Sequence, residues 1–167
     1  DIGIIGLPNA GKSSLLASIT NANPKIANYE FTTLNPNLGV ASYDDKEITL
    51  ADIPGLIEGA HEGTGLGMQF LKHIERCKTL LHLIDITNHD LERSYNEVKN
   101  ELKNYSQDLL KKKELIVLNK VDLIDDKLKK EIISEFSKKI NGEVLTLSTF
   151  EKESVSKIKS KLISYVS

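Results

Sequence analysis

With a single cysteine, Cys77, the chain cannot form an internal disulfide, which suits a reducing compartment or no redox constraint at all. No apolar run approaches the ~20 residues that a membrane-spanning helix needs, and no signal-peptide pattern stands at the start. Neither sign of charge dominates: 22 Lys+Arg face 24 Asp+Glu, a formal net charge of −2. That balance argues against holding nucleic acid by bulk charge, because phosphate neutralisation needs a basic face, although a local basic patch remains compatible. Repeats and low-complexity tracts are absent. What is present is ordinary for a folded domain: 167 residues, 40% hydrophobic and 28% charged, enough for one full core. The expectation is a soluble, cytoplasmic domain with no membrane span.

The chain opens inside an apolar strand, Asp1-Ile2-Gly3-Ile4-Ile5, which reads as a domain cut from a longer chain with an N-terminal domain missing. Further strands are expected at Leu38–Tyr43, Glu47–Ala51, Leu80–Asp85, Leu115–Asn119 and Glu143–Leu147, each bounded by turn residues. Asp44-Asp45-Lys46 reads as a hairpin turn. Between strands, Leu91, Tyr95, Val98, Leu102, Tyr105 and Leu109 recur at steps of four and three, one stripe of a helix. Leu128, Ile132, Phe136 and Ile140 mark a second helix, and Val155, Ile158, Leu162 and Val166 a last one. The alternation predicts an α/β three-layer domain around a mostly parallel six-stranded sheet with one antiparallel edge strand. Five of the ten glycines fall between Gly55 and Gly67, which reads as a mobile loop. The second half, residues 84–167, holds 16 Lys+Arg and 15 Asp+Glu, a pattern of solvated helix faces.

Gly6-Leu7-Pro8-Asn9-Ala10-Gly11-Lys12-Ser13 fits G-x-x-x-x-G-K-[ST] between an apolar strand and the helix start Ser14-Leu15-Leu16. Glycines let backbone N–H groups approach phosphate oxygens at a helix N-terminus whose dipole favours anions. Lys12 adds positive charge near the terminal phosphates, and Ser13 offers a hydroxyl to Mg²⁺. Asn119-Lys120-Val121-Asp122 ends a strand. Guanine presents two adjacent donors, N1–H and an exocyclic amine, that one carboxylate can accept together. Asp122 is thus the expected guanine reader, Lys120 a stem along the base and Asn119 a tether. Asp52-Ile53-Pro54-Gly55 closes another strand; its acid can hold Mg²⁺ through a water, and the Gly55 N–H can reach a γ-phosphate. In Phe31-Thr32-Thr33-Leu34 a threonine hydroxyl can complete the Mg²⁺ shell when the γ-phosphate is present; chemistry alone leaves Thr32 and Thr33 both open.

With these motifs in order, the chain resembles the small GTPase G domains, and among them the Obg family. The resemblance rests on Gly6 to Ser14, on Phe31-Thr32-Thr33-Leu34-Asn35 with Pro36-Asn37-Leu38-Gly39, on Asp52 to Ala60, and on Gly65-Leu66-Gly67 through Arg76. It is dense over residues 1–122 and thins over the last 45. It implies a Ras-like P-loop NTPase fold over residues 1–167, with GTP and GDP as ligands and Mg²⁺ as cofactor. Thr33 becomes the Mg²⁺-binding threonine, and residues 31–35 fold over the nucleotide. Lys12, Thr33 and Gly55 are the implied catalytic set, and Ser13, Thr33 and Asp52 the implied metal set. The family further implies large ribosomal subunit assembly, growth or stress signalling, guanosine tetraphosphate as another ligand, and a monomeric G domain.

Two features stand out against that background. The fifth guanine-binding element is commonly Ser-Ala-x, whereas here Ser148-Thr149-Phe150 follows the last strand; its backbone N–H groups are the expected contact to the guanine carbonyl. Leu56 stands where many GTPases carry a water-orienting glutamine, so slow intrinsic hydrolysis is expected. Related GTPases with an asparagine at the place of Asn9 bind K⁺ there, and a turn-stabilising role for Asn9 is equally open. His61 falls in the glycine-rich loop, within reach of a hydrolytic water or at the surface; His73, His82 and His89 read as surface or core packing, and Cys77 as a small buried hydrophobe. Two rivals remain: an ATP-using P-loop enzyme, which Asp122 opposes, and a nucleotide-gated assembly module with negligible turnover, which Leu56 favours.

Overall fold

The computed structural model describes residues 2–7, 10–20, 25–26, 37–52, 75–105 and 107–166. The elements are β1 (Ile2–Ile5), α1 (Lys12–Ile19), β2 (Lys25–Ile26), β3 (Asn37–Tyr43), β4 (Lys46–Asp52), β5 (Thr79–Asp85), α2 (Leu91–Tyr105), β6 (Lys113–Asn119), α3 (Asp126–Ile140), β7 (Val144–Leu147) and α4 (Lys152–Val166). Short 3₁₀ turns occupy Gln107–Lys111 and Val121–Leu123.

The strands form one sheet in the order β2-β3-β4-β1-β5-β6-β7. From β4 through β7 all pairings are parallel, and β3 runs antiparallel to β4. The six expected strands are all present. A seventh, the two-residue β2, pairs antiparallel to β3 at the edge and is too short to leave a periodic signal. At the β3–β4 turn, Asp44 and Asp45 both have positive φ, 49° and 61°, the backbone of a two-residue hairpin with matching twist.

Alternation along the strands divides the core. Ile2, Ile4, Leu50, Leu81, Leu83, Leu115 and Val117 face α1 and α4, where Leu15, Leu16, Ile19, Ile158 and Leu162 meet them. On the other face Ile5, Leu80, Ile84, Ile116 and Leu118 meet Val98, Leu102 and Phe136 of α2 and α3. Both faces are covered, which is why β1 and β5 are nearly uninterrupted apolar runs.

One helix is shorter than its stripe suggested. α2 stops at Tyr105, and Leu109 lies in the following 3₁₀ turn, still buried. The chain must enter β6 at Lys113, and a tighter turn returns Leu109 to the core within the space available. Leu128 opens the α3 stripe but stands 43% exposed. α3 is capped at both ends: Asp125 accepts from the Leu128 N–H at 2.8 Å, and Asn141 closes it with φ of 53°. Among the described residues no helix is long and apolar enough to cross a membrane.

Candidate nucleotide-binding site

Because β4, β1, β5, β6 and β7 are parallel, their C-terminal ends share one edge of the sheet. Asp52, Gly6, Asp85, Asn119 and Ser148 are thereby gathered from across the sequence. This is the edge at which open α/β sheets bind ligands.

The phosphate loop turns at Gly11, with φ of 97°, and α1 begins at once. Among the described residues no side chain caps that helix, and its first turn holds no acid, whereas α2, α3 and α4 each carry one there. The first N–H groups of α1 and its dipole are therefore directed to an outside acceptor. A Cβ at Gly6 would press on the Leu83 carbonyl oxygen at 2.5 Å, and one at Gly11 would collide with the Asn119 amide. Both glycines are demanded by close packing against β5 and β6. Leu7 and Ala10 flank the loop, with Ala10 buried and its N–H donating to the Leu7 carbonyl at 3.1 Å; Ser14 is exposed in the first turn.

Behind the helix start, Ser13 Oγ donates to Asp52 Oδ2 at 2.8 Å, and Lys12 Nζ lies 4.0 Å from Asp52 Oδ1. Asp52 is 5% exposed, and Oδ1 has no hydrogen-bond partner among the described residues. A hydroxyl and an under-satisfied buried carboxylate form the hard oxygen donor set that Mg²⁺ prefers.

On the other side, Asn119 is buried, and its Nδ2 donates to the Ala10 carbonyl at 2.9 Å, tying β6 to the phosphate loop. Lys120 has φ of 67°, a left-handed conformation costing a non-glycine residue about 1–2 kcal/mol. Its ammonium is turned to Asp85, donating to Oδ2 at 2.9 Å. Burial alone would raise the Asp85 pKa; hydrogen bonds from Thr87 and Lys120 outweigh it and leave the carboxyl below its ordinary value. Val121 is buried beneath the exposed Asp122. Ser148, fully buried, donates its hydroxyl to Asp122 Oδ1 at 2.9 Å. The Ser148 N–H is already taken by Ser154 Oγ at 2.9 Å, so Thr149 and Phe150 carry the loop N–H groups left for a ligand. Phe150 stands 86% exposed.

Pro8, Asn9, Phe31, Thr32, Thr33, Leu34, Asn35, Ile53, Pro54, Gly55, Leu56, His61 and His73 lie outside the described residues. His89 is exposed. Cys77 is buried, and that burial pushes its thiol pKa up. His82 is fully buried, as core packing requires, but it also has a charged partner that sequence reasoning missed. Its Nδ1 lies 2.7 Å from Glu114 Oε1, Lys99 pairs with the same carboxylate, and Tyr95 stacks on the ring at 5.3 Å. Asp85, Thr87 and Ser154 were missed as well. An acid ending a buried strand at the phosphate-loop edge, the reasoning that singled out Asp52, would have found Asp85.

Residues 1–120 match the model of the 50S ribosome-binding GTPase family. The chain belongs to that family. It is 75% identical over its whole length to the GTPase Obg of Pelagibacter ubique, covering 51% of that protein. Against the GTPase Obg of Rickettsia felis it is 55% identical over 95% of its length, covering 48% of that relative. The chain thus spans about half the length of the curated relatives it matches, and the Obg resemblance seen in its motifs holds across the full sequence. Among solved structures, it resembles the G domain of the T. maritima FeoB iron transporter with a TM-score of 0.72 at 20% identity, covering 99% of this chain and 98% of that one. The cytosolic domain of the same transporter in a GDP form gives 0.75 at 22% identity, over 98% of this chain and 62% of that one. At such identity these likenesses speak for the fold, that of a phosphate-loop GTPase G domain.

Proposed function

We propose that this chain is a Mg²⁺-dependent guanine-nucleotide switch that binds GTP and GDP and slowly hydrolyses GTP. The observation that carries this reading is the pairing of two halves at one sheet edge: an uncapped helix start with Lys12, Ser13 and Asp52, and the Asn119–Asp122 segment tied to it through Ala10. In this reading the α1 N–H groups and Lys12 hold the β- and γ-phosphates and stabilise the charge that spreads over the γ-phosphoryl oxygens during attack by water. Ser13 and Asp52 hold Mg²⁺, with Thr33 as the third member of the set. When bound, the ion neutralises phosphate charge. Asp122, held by Ser148, accepts both guanine donors, and an adenine would leave it unpaired. Thr33 and Gly55 sense the γ-phosphate, and with Leu56 in place of a glutamine the hydrolytic rate is low.

The wider role is large ribosomal subunit assembly with growth or stress control, in the cytoplasm, with guanosine tetraphosphate as a further ligand. The family's ribosome-binding description and the Obg relatives support it. A K⁺ ion at Asn9 belongs to the same reading.

The test is a titration of GDP, a non-hydrolysable GTP analogue and ADP with Mg²⁺, in K⁺ and again in Na⁺ buffer. Binding of both guanine nucleotides without ADP is expected, and a K⁺-specific gain would implicate Asn9. Equal ADP affinity would refute the guanine assignment. Asp122→Asn should turn preference toward xanthine nucleotides, whose base edge reverses the donor and acceptor.

A further inference from the structure

Parallel pairing of β5 with β6 sets Asp85 opposite Asn119, one residue before Lys120. Asp85 is not a bystander that happens to meet a lysine. Its Oδ1 is fixed by two bonds from one residue, the Thr87 N–H at 2.9 Å and the Thr87 hydroxyl at 2.7 Å. That leaves Oδ2 aimed at the Lys120 ammonium, 2.9 Å away. Lys120 is itself constrained, because its left-handed backbone allows few paths for the side chain. Two rigid ends thus define one position for a long, otherwise floppy stem. A lysine left free would lose substantial rotamer entropy on lying against a ligand.

We propose that Asp85 is a positioning residue for guanine-nucleotide binding: anchored by Thr87, it holds the Lys120 ammonium so that the aliphatic stem is ready to pack along the base. The inference rests on the nucleotide reading above and adds to it two residues, Asp85 and Thr87, that touch no nucleotide in that reading. The lysine's contribution then comes from its stem as much as from its charge, and the acid beside it sets how much of that contribution is realised. Pre-ordering a contact saves its entropy cost at binding, which appears as slower dissociation.

A double-mutant cycle on GDP affinity, read by calorimetry with stopped-flow dissociation, tests it. Asp85→Asn should raise the GDP dissociation constant about threefold to tenfold, and Thr87→Val by a smaller factor. In a Lys120→Met background, which keeps an apolar stem but removes the ammonium, Asp85→Asn should change affinity less than twofold. An unchanged affinity in Asp85→Asn, or an equal loss in both backgrounds, would overturn the proposal; the second result would mean that Asp85 acts through the fold. The wild-type titration separates the two readings. Absent GDP binding there removes the nucleotide assignment itself, whereas normal wild-type binding with an insensitive Asp85→Asn removes only the positioning role.

Discussion

Asn119 and Ala10 are separated by 109 positions in sequence and joined by one 2.9 Å hydrogen bond, from the Asn119 side-chain amide to the Ala10 carbonyl. It is the strut between the two halves of the site. Asn119→Ala removes the strut and, among the described residues, the side-chain donor to the buried Ala10 carbonyl, a loss of about 1–3 kcal/mol of stability. GDP affinity is expected to fall by at least about tenfold. Thermal denaturation and calorimetry check the two effects separately.

Ser148 is the only hydroxyl seen to hold the Asp122 carboxylate among the described residues. Ser148→Ala should weaken GDP binding about tenfold, while Ser148→Thr, which retains a hydroxyl, should recover part of that loss. Equal affinities for all three proteins would show that Asp122 needs no support from the loop after β7.

Gly11 combines a φ of 97° with a site where any side chain strikes Asn119. Gly11→Ala therefore incurs strain twice, at its own backbone and at the strut. A drop in stability of about 1–3 kcal/mol with loss of measurable GDP binding is expected. An alanine variant as stable as the wild type would contradict the close approach.

Glu114 supplies a pH signature distinct from the site. Burial would raise its pKa, but the His82 hydrogen bond and the Lys99 ammonium outweigh it, and the carboxyl titrates below its ordinary value of 4.5. A depressed carboxylate adds stability that is fully present above that ordinary value and disappears as pH falls through the folded value. Acid melts should thus show wild-type stability declining below about pH 4.5. Glu114→Gln should start lower at pH 7, by about 1–3 kcal/mol, and decline less steeply. Parallel pH profiles for the two proteins would exclude this group as the source.

Much of the site was legible because its motifs are contiguous. A glycine turn between an apolar strand and a helix brings Gly6, Gly11, Lys12 and Ser13 together over a few residues, without help from the rest of the chain. Asn119 and Asp122 were readable for the same reason. The partners of those residues were not. Asp85 meets Lys120, and Ser148 meets Asp122, through the register of parallel strands, which no local pattern encodes. The α2 stripe was misread beyond Tyr105 because a 3₁₀ turn can keep Leu109 on the buried side after the helix has ended. The Glu114–His82–Lys99 cluster was hidden for a similar reason: two of its members lie on adjacent strands and the third on a covering helix.

β1 lies at the middle of the sheet, and both of its neighbours come from far downstream: Ile2 is flanked by Leu50 and Thr79. Within this domain β1 is made before either of its sheet partners, while the β3–β4 hairpin can close on its own turn. During synthesis the segment that feeds the phosphate loop can gain β4 on one side once residue 52 has been made, but must wait until residue 82 for β5 on the other, and the strut from Asn119 comes later still. Nascent chains stalled before residue 79 should leave the β1 amides that face β5 open to hydrogen exchange, and the nucleotide would then be the last thing the growing domain learns to hold.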